Sequence, residues 1–493
     1  MSLHGHTKIE LHNVKTGEDK VIEKDNLITN VFGKFLSSFH RTGLGMNNLS
    51  YKSQFPLMQS THVGGVVCYP DSIDEDENII FAPVGNVPTA YANQTTHTDT
   101  NLKRGQPNVN VTETLENGFT FVWDWGLEQG NGVISAICLT SDAGGACEFG
   151  DEFSVIPMTQ LGYTNLTRIN ATESIQALQR SGQMDSSGFR WAVMPVDATT
   201  VKLYKLNMCI TQMGVYDKIL TGNGVPFESW TVALSAESIS LSGNYSKGMW
   251  FDFGDYMFGI CNSANNTSGN ATICWSKIYK EDRRVEEGSW TLNETHLHYI
   301  ADNGKINDNS FGSTIYAACA NGCFYICNAT LNGIYKIDPN DIANIKLYET
   351  GTIGTTHSGS YYGSTTTVSV ENVELSATGS QTTIFDVIKS VAGRVYWQTG
   401  YINGDDIFKM PEKKSDVVSW SHFVQVDDSP VFLNFGGSYG NLYASRYPMN
   451  NTHISVWLLK SYLFTINNLD EPVTKTADMT MRITYTISLE EDE

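Results

Sequence analysis

Alternating hydrophobic and polar residues mark most of the elements that the sequence predicts, and these elements are strands. Residues 119–125 carry an aromatic side chain at every second position: Phe119, Phe121, Trp123 and Trp125. Because successive side chains of a strand point to opposite faces, the four rings would share one face. A Gly/Asn-rich turn then leads into residues 133–140, which are apolar on both faces. The pattern predicts a hairpin in the core of a β-sandwich.

The C-terminal region shows the same alternation over a longer segment. Residues 479–489 have apolar side chains at odd positions and polar ones at even positions. The apolar set is Met479, Met481, Ile483, Tyr485, Ile487 and Leu489. An amphipathic strand of this length needs an apolar surface to cover that face. We therefore expect it to pack on a larger sheet elsewhere in the chain.

A helical period is best developed in residues 29–40. Apolar residues there follow the spacing i, i+1, i+4, i+5 and i+8, and Thr29 or Asn30 can cap the first turn. The remaining segments are mostly typical of strands and loops, so the predicted fold class is all-β.

The middle of the chain, residues 196–465, contains a degenerate repeat. Each copy has a glycine, a strand with aromatic residues, a polar turn, and a second strand with a lysine and a carboxylate near its end. The copies begin at Gly254, Gly322, Gly393 and Gly440. This spacing suits four-stranded blades with variable loops, so we expect a β-propeller-like domain; a second sandwich is the alternative.

The composition excludes several functional classes. The chain has 493 residues, more than one core usually supports, and a net charge of −21 without a basic cluster. Nucleic acid and anionic lipid surfaces require a positive patch, so neither is an expected partner. No apolar run is long enough to span a bilayer, and residues 1–6 lack the features of a signal peptide. We expect a protein that is made in a bacterial cytoplasm and does not use the secretory route.

Several segments together resemble a known family. The aromatic strand, the Gly-Asn-Gly turn at 130–132 and the sequence Leu-Thr-Ser-Asp-Ala-Gly-Gly at 139–145 are similar to virion structural proteins of tailed phages and prophages of clostridial-type Gram-positive bacteria. These are proteins of the tail, baseplate or tail-fibre type. Similar segments occur in the same order at residues 7–30, 64–77 and 467–486. The resemblance covers the beginning and the end of the chain and leaves the middle uncovered.

The resemblance implies that the C-terminal strand returns to the first domain. We therefore expect a β-sandwich virion-attachment domain from residues 1–195, completed by residues 466–493. Residues 196–465 would form the inserted propeller-like domain, an arrangement that is tolerated when the two ends of an insertion lie close together.

The cysteines have no pattern of a metal site or a disulfide framework. Cys319, Cys323 and Cys327 fall on a segment that reads as a strand, where residues four apart are separated by about 13 Å. This is too far for two thiolates to share one ion. In a protein without a secretory signal we expect all nine cysteines to be thiols, most of them buried.

Histidines and acidic residues give three further metal candidates. His-x-His occurs at residues 4–6 and 296–298, in neither case within a fibrous segment. The acidic loop at residues 71–77 lacks the glycine and the spacing of an EF-hand loop. We expect no metal and no other cofactor.

The sequence also lacks the signatures of common hydrolases. Residues 185–191 are the nearest match to a sialidase Asp box, with the wrong Asp-to-Gly spacing and no threonine. A nucleophile elbow, a P-loop and a His-Glu-x-x-His motif are missing as well. A glycosidase needs only two opposed carboxylates, which a sequence does not reveal. We expect no enzymatic activity; a tail-associated polysaccharide depolymerase or glycoside hydrolase is the alternative.

The candidate binding residues are tyrosines in polar, glycine-rich segments. Tyr361 and Tyr362 lie within residues 350–367, which are mostly Gly, Thr, Ser and His, and Tyr439 lies in a similar Gly/Ser segment. Rigid rings among adaptable polar residues are typical of recognition surfaces, and their flat faces suit sugar rings. We expect these tyrosines in exposed loops that bind host cell-surface glycan; plain loops or inter-blade turns are the alternative.

These residues and the resemblance together predict a structural protein of the phage tail or baseplate, as a fibre or host-recognition component located in the virion. Its partners would be other tail or baseplate proteins, a host cell-surface glycan, and further copies of itself in a symmetric oligomer.

Overall fold

The structure is a computed structural model. It describes residues 2–31, 33–34, 63–98, 100–146, 158–164, 173–178, 181–182, 185, 187–196, 199–207, 225–235, 248–262, 266–302, 313–353, 356–361, 364–369, 384–397, 399–409, 423–425, 430–436, 453–459 and 461–490. These residues form two compact units. Unit 1 takes the described residues of Met1–Ser37, Ser50–Thr159 and Leu458–Glu493, and unit 2 takes those of Gln160–Trp457. The sequence predicted a boundary after residue 195, whereas the described residues of 160–195 group with unit 2.

The prediction of an all-β fold is confirmed. The described part of the chain contains 34 strands, numbered here along the chain, one short helix, α1 (Glu173–Leu178), and a 3₁₀ turn at Gly144–Ala146. Of the helix predicted at residues 29–40, Val31, Gly33 and Lys34 are helical, and its other residues beyond Asn30 lie outside the described part. The first helical hydrogen bond runs from the Lys34 N–H to the Asn30 carbonyl at 2.9 Å, so Asn30, one of the two predicted candidates, is the N-cap. Thr29 lies before it, and its Oγ1 accepts from the Val31 N–H at 3.4 Å. Within the described residues, no helix has the length and apolar character needed to span a membrane.

Unit 1 is built on one ten-stranded sheet. Its strands are β1 (Ser2–Asn13), β2 (Asp19–Ile28), β3 (Gly65–Tyr69), β4 (Ala90–Ala92), β5 (Gln106–Pro107), β6 (Glu113–Thr114), β7 (Gly118–Trp125), β8 (Gly132–Thr140), β33 (Thr465–Lys475) and β34 (Met479–Glu490). They follow the order β4-β3-β8-β33-β2-β1-β34-β7-β5, with β6 also paired to β7. The two C-terminal strands thus lie inside the sheet of the N-terminal region, as predicted for residues 466–493.

The sheet of unit 1 curls until its two ends nearly meet. Tyr91 in β4 donates its N–H to the Lys103 carbonyl at 3.0 Å and accepts from the Gly105 N–H at 2.9 Å, directly ahead of β5. The two faces of the predicted sandwich therefore belong to a single, almost closed sheet. Such closure leaves few free strand edges.

The aromatic strand and the C-terminal strand are direct neighbours in this sheet. Phe121 lies opposite Tyr485, Trp123 opposite Ile483, and Trp125 opposite Met481. All six side chains are buried, on the face that the alternating pattern predicted. Leu489, the last apolar residue of that pattern, is 49% exposed near the end of the strand.

The described part of unit 2 consists of small, mostly antiparallel sheets that follow one another along the chain. The first sheet contains β10 (Phe189–Pro195), β11 (Thr200–Asn207) and β12 (Phe227–Ala233). The second sheet contains β13 (Gly248–Asp252), β14 (Tyr256–Cys261), β15 (Ala271–Tyr279) and β16 (Val285–Leu292). The third sheet contains β19 (Ala317–Ala320), β20 (Cys323–Cys327), β21 (Gly333–Asp338) and β22 (Asp341–Glu349). The later sheets contain β26 (Lys389–Val391), β27 (Arg394–Trp397), β28 (Gly400–Asn403) and β29 (Asp406–Lys409); then β30 (Phe423–Gln425), β31 (Val431–Gly436) and β32 (His453–Leu459), completed by β9 (Met158–Thr164). The smaller pieces are β17 (Ala301–Asp302), β18 (Ser313–Ile315) and β25 (Ile384–Asp386) in one sheet, and the hairpin of β23 (Thr356–Tyr361) and β24 (Ser364–Ser369). Of these strands, β18 and β25 are a parallel pair.

These sheets pack face to face in chain order, as the blades of a propeller do. One core cluster joins β10–β12 to β13–β16, a second joins β13–β16 to β19–β22, and a third joins β19–β22 to β26–β29. The first strand of the unit, β9, lies beside β32 in the last sheet, and the Arg190 guanidinium donates to the Gln425 carbonyl of β30. Four sheets packed in chain order, and a fifth that contacts the first, support the predicted propeller-like character of unit 2.

The glycine that begins each copy of the predicted repeat occupies the same turn in three of these sheets. Gly254, Gly322 and Gly393 each lie just before the second strand, with φ values of 80°, 73° and 75°. Glycine adopts such left-handed conformations without steric cost, which is why a tight turn recurs there. The copy at Gly440 lies outside the described residues.

Candidate functional site

The segment proposed for glycan binding is a hairpin, where the sequence predicted a loop. Tyr361 is the last residue of β23 and lies opposite Ser364, the first residue of β24. The hairpin is rich in threonine, whose β-branched side chain favours strands, and this explains the difference from the predicted loop. β23 and β24 form a two-stranded sheet of their own and pair with no other described strand. Tyr362 and Tyr439 lie outside the described residues.

A group of charged and aromatic side chains in unit 2 lies where its first two blades meet. Lys280, at the end of β15, donates from Nζ to Asp252 Oδ1 of β13 at 2.7 Å. Its ammonium is also 5.4 Å from the centre of the Trp191 ring of β10. Trp191 in turn donates from Nε1 to Asp185 Oδ2 at 3.0 Å. We call Asp185, Trp191, Asp252 and Lys280 the interblade cluster.

The two carboxylates of the interblade cluster have different electrostatic environments. Burial raises the pKa of Asp252, and the nearby Lys280 ammonium only partly opposes this effect. Burial acts on Asp185 as well, but N–H groups of Phe189, Trp191 and Ser187 donate to its carboxylate and lower its pKa overall. Two carboxyl groups with pKa values moved apart are the acid and base pattern of many hydrolases.

Access to the interblade cluster is nevertheless restricted. The side chains of Lys280 and Asp252 are only 9% and 12% exposed. Gly182 packs so closely that a Cβ added to it would lie 2.5 Å from the Cβ of Asp252. A polysaccharide cannot approach the Asp252 carboxylate when it is enclosed in this way. The arrangement therefore fits a buried ion pair within the second blade, packed against the first blade, better than a catalytic pair. Sequence patterns provided little signal for this cluster, since only Asp185 was considered there, in a segment that does not match the sialidase Asp box.

The His-x-His segments and the acidic loop, considered above as metal sites, contact other protein groups. In β1, His6 Nδ1 lies 2.9 Å from Asp25 Oδ1 at the surface. His298 is buried against the Tyr316 ring, with the ring centres 3.8 Å apart. The acidic loop is held by Asn468, which accepts from the Ile73 N–H at 2.9 Å and donates to its carbonyl at 2.6 Å. Among the described residues, no group of three or more His, Cys, Asp or Glu side chains could hold a metal ion.

The seven described cysteines are all free thiols. Cys319, Cys323 and Cys327 lie in β19 and β20, and burial raises the pKa of Cys319 to about 12. Cys68 and Cys138 are fully buried in neighbouring strands of unit 1, and burial raises the pKa of Cys138 to about 12. Such thiols are poor nucleophiles, which argues for packing roles. Cys147 and Cys209 lie outside the described residues.

Comparison with known proteins adds no assignment: no protein-family model matches the chain, and no curated protein shows a significant match.

Proposed function

We propose that this protein is a virion structural component of a phage tail or baseplate, and that its unit 2 recognises a glycan on the host surface. The observation that carries this proposal is the β23–β24 hairpin, a separate two-stranded element of polar residues with Tyr361 at its turn. Main-chain pairing fixes the position of such a turn, and adjacent tyrosines supply flat rings at low conformational cost.

Unit 1 takes the role of the attachment domain in this proposal. Its sheet is nearly closed, and both ends of the described chain are central strands of it, since β1 and β34 pair over their full lengths. A sheet with few free edges is protected from unwanted strand pairing, which suits a domain held at high density among tail or baseplate proteins.

The test is adsorption of the purified protein to host cells or to isolated envelope polysaccharide. The variant Tyr361→Ala/Tyr362→Ala should weaken binding about tenfold or more, at roughly 1 kcal/mol for each stacking ring. The matched control is Thr365→Ala/Thr367→Ala, which changes β24 of the same hairpin and keeps both rings. Unchanged binding by the tyrosine variant would remove the hairpin from the proposal.

The same assay distinguishes recognition from hydrolysis. We expect bound polysaccharide to remain intact, with no oligosaccharide released. If oligosaccharide is released, Asp185→Asn and Asp252→Asn identify whether the interblade cluster is responsible. Release that is lost in both variants would establish the hydrolase alternative.

A further inference from the structure

Unit 1 contains a buried carboxamide that has no hydrogen-bond partner. Asn467 of β33 is 1% exposed, and neither its Nδ2 nor its Oδ1 has a partner in the structure. An unsatisfied buried polar group destabilises a protein, so native structures rarely contain one unless a water molecule supplies the missing hydrogen bonds. An asparagine with both amide atoms unsatisfied is a stronger signal than one isolated atom.

A second unsatisfied amide lies next to Asn467 in the sheet. In the pairing of β2 with β33, Leu27 lies opposite Ile466 and Ile28 opposite Thr465. The observed pairing ends there; extended by one residue, the same register places Asn26 opposite Asn467, and side chains at opposite positions point to the same face. The Nδ2 of Asn26 is buried and also has no partner. Its Oδ1 accepts from Thr7 Oγ1 at 3.1 Å, which places the Asn26 side chain on the inner face of the sheet.

Hydroxyl groups complete this polar region of the interior. The Tyr485 hydroxyl of β34 hydrogen-bonds to Thr465 Oγ1 and to the Thr7 side chain. Thr465 Oγ1 also accepts from the Leu139 N–H at 3.0 Å. These contacts connect strands from the beginning, the middle and the end of unit 1.

We propose that Asn26 and Asn467 together bind a buried water molecule inside the sheet of unit 1. The water would accept from the Nδ2 groups of Asn26 and Asn467 and donate to Asn467 Oδ1, which makes the three bonds that are usual for buried waters. The surrounding groups are amides and hydroxyls, and burial raises the pKa of Tyr485, so its hydroxyl stays protonated. A neutral ligand therefore fits this site, whereas a metal ion would meet no charged oxygen there.

The direct test is a crystal structure of the full chain at a resolution that shows ordered water. We expect density for one water within hydrogen-bonding distance of the carboxamides of both asparagines. The proposal is overturned if these amides bond directly to protein groups, or if the space between them is empty.

A double-mutant cycle provides an independent readout. If one water links the two residues, Asn26→Leu/Asn467→Leu should lower the unfolding midpoint of unit 1 by less than the sum of the two single changes. The control pair is Asn108→Leu/Asn467→Leu, because Asn108 bonds to Asp124 at 2.7 Å instead. That pair should be additive, and additivity in both pairs would contradict a shared water.

Discussion

Arg482 and Asp124 form a bidentate ion pair between residues 358 positions apart in the sequence. Arg482 donates from Nε to Asp124 Oδ1 at 2.7 Å and from Nη2 to Oδ2 at 3.2 Å. Both residues lie on the outer face of their strands, next to the buried pairs Trp123–Ile483 and Trp125–Met481. The planar guanidinium fits only one register of β34 against β7, so the pair reinforces the register that the apolar face defines.

The first prediction concerns the buried face of β34. Ile483 is fully buried opposite Trp123, so Ile483→Ala should destabilise unit 1 by about 2–5 kcal/mol through lost burial and a cavity. The neighbouring Thr484→Ala changes the outer face and should stay within about 0.5 kcal/mol. Denaturant unfolding of both variants checks this. Equal, small effects would mean that β34 is a dispensable tail.

The second prediction explains the glycine at the end of the Leu-Thr-Ser-Asp-Ala-Gly-Gly segment. A Cβ on Gly145 would lie 2.0 Å from the Ala92 carbonyl oxygen and 2.6 Å from the Cα of Gly65. Gly145→Ala should therefore lower the stability of unit 1 by about 3 kcal/mol, the upper end of overpacking effects. Gly126→Ala is the control, because its nearest neighbour, the side chain of Gln129, would be 3.6 Å away. A thermal melt showing equal midpoints for the two variants would contradict the close approach.

The sequence alone was sufficient to predict a strand and its buried face where one hydrophobic period continued through the whole strand. The aromatic strand and residues 479–489 both alternate without a break, and each is buried on the predicted side. The repeat could be recognised because Gly254, Gly322 and Gly393 occupy the same turn. Near residue 195 the sequence predicted a boundary, but β9 pairs with a strand far away in sequence, and local patterns carry no information on such pairing.

The candidate site was harder to predict for a related reason. Asp252 and Lys280 come from different strands of one blade, and Asp185 comes from the segment ahead of the neighbouring blade. Each looks like an ordinary surface residue when read alone. These residues come together because two sheets pack on each other, and neither residue type nor sequence spacing predicts that packing.

The third prediction tests the interblade cluster as a structural ion pair. Asp252→Ala should destabilise unit 2 by about 3–5 kcal/mol, because it leaves the buried Lys280 ammonium without its partner. The double change Asp252→Leu/Lys280→Met should recover most of that loss, since it removes both charges. Asp405→Asn is the exposed control: Asp405 pairs with Lys346 at 3.1 Å, but its side chain is 76% exposed, so about 0–1 kcal/mol is expected. Urea unfolding of unit 2 measures all three, and a double variant as unstable as the single one would refute the pairing.

The fourth prediction concerns pH. Lys475 donates from Nζ to the carbonyl oxygens of Gly126 and Leu127 and to Asn131 Oδ1, at 2.9, 3.3 and 2.8 Å. Burial lowers its pKa to about 8 from the usual 10.5, and Glu128 opposes this shift. Between pH 8 and 10.5 the unfolded chain therefore binds more protons at this residue, so the contribution of Lys475 to the stability of unit 1 increases with pH.

Comparing variants separates the contribution of Lys475 to stability from the contributions of other groups that titrate at high pH. The stability of Lys475→Met relative to the unchanged protein should fall as the pH rises from 8 to 10.5, and it should be constant below pH 7. The control Lys15→Met replaces an exposed lysine, at 70% side-chain exposure, and should show no such trend. A constant difference over the whole range would show that the ammonium keeps its ordinary pKa.

The last prediction uses the recurring turn of unit 2 to make the protein more stable. Asn321-Gly322 and Ala392-Gly393 both have positive φ at each residue, 51° and 73° in the first turn and 50° and 75° in the second. Both connect the first and second strands of a blade, and their angles are those of a type I′ turn. An alanine in the left-handed region is strained by about 1–2 kcal/mol, whereas asparagine tolerates it. Ala392→Asn should therefore raise the stability of unit 2 by about 0.5–1 kcal/mol. The reverse change, Asn321→Ala, should lower it by a similar amount, and thermal melts that moved in the same direction for both variants would contradict this account of the turn.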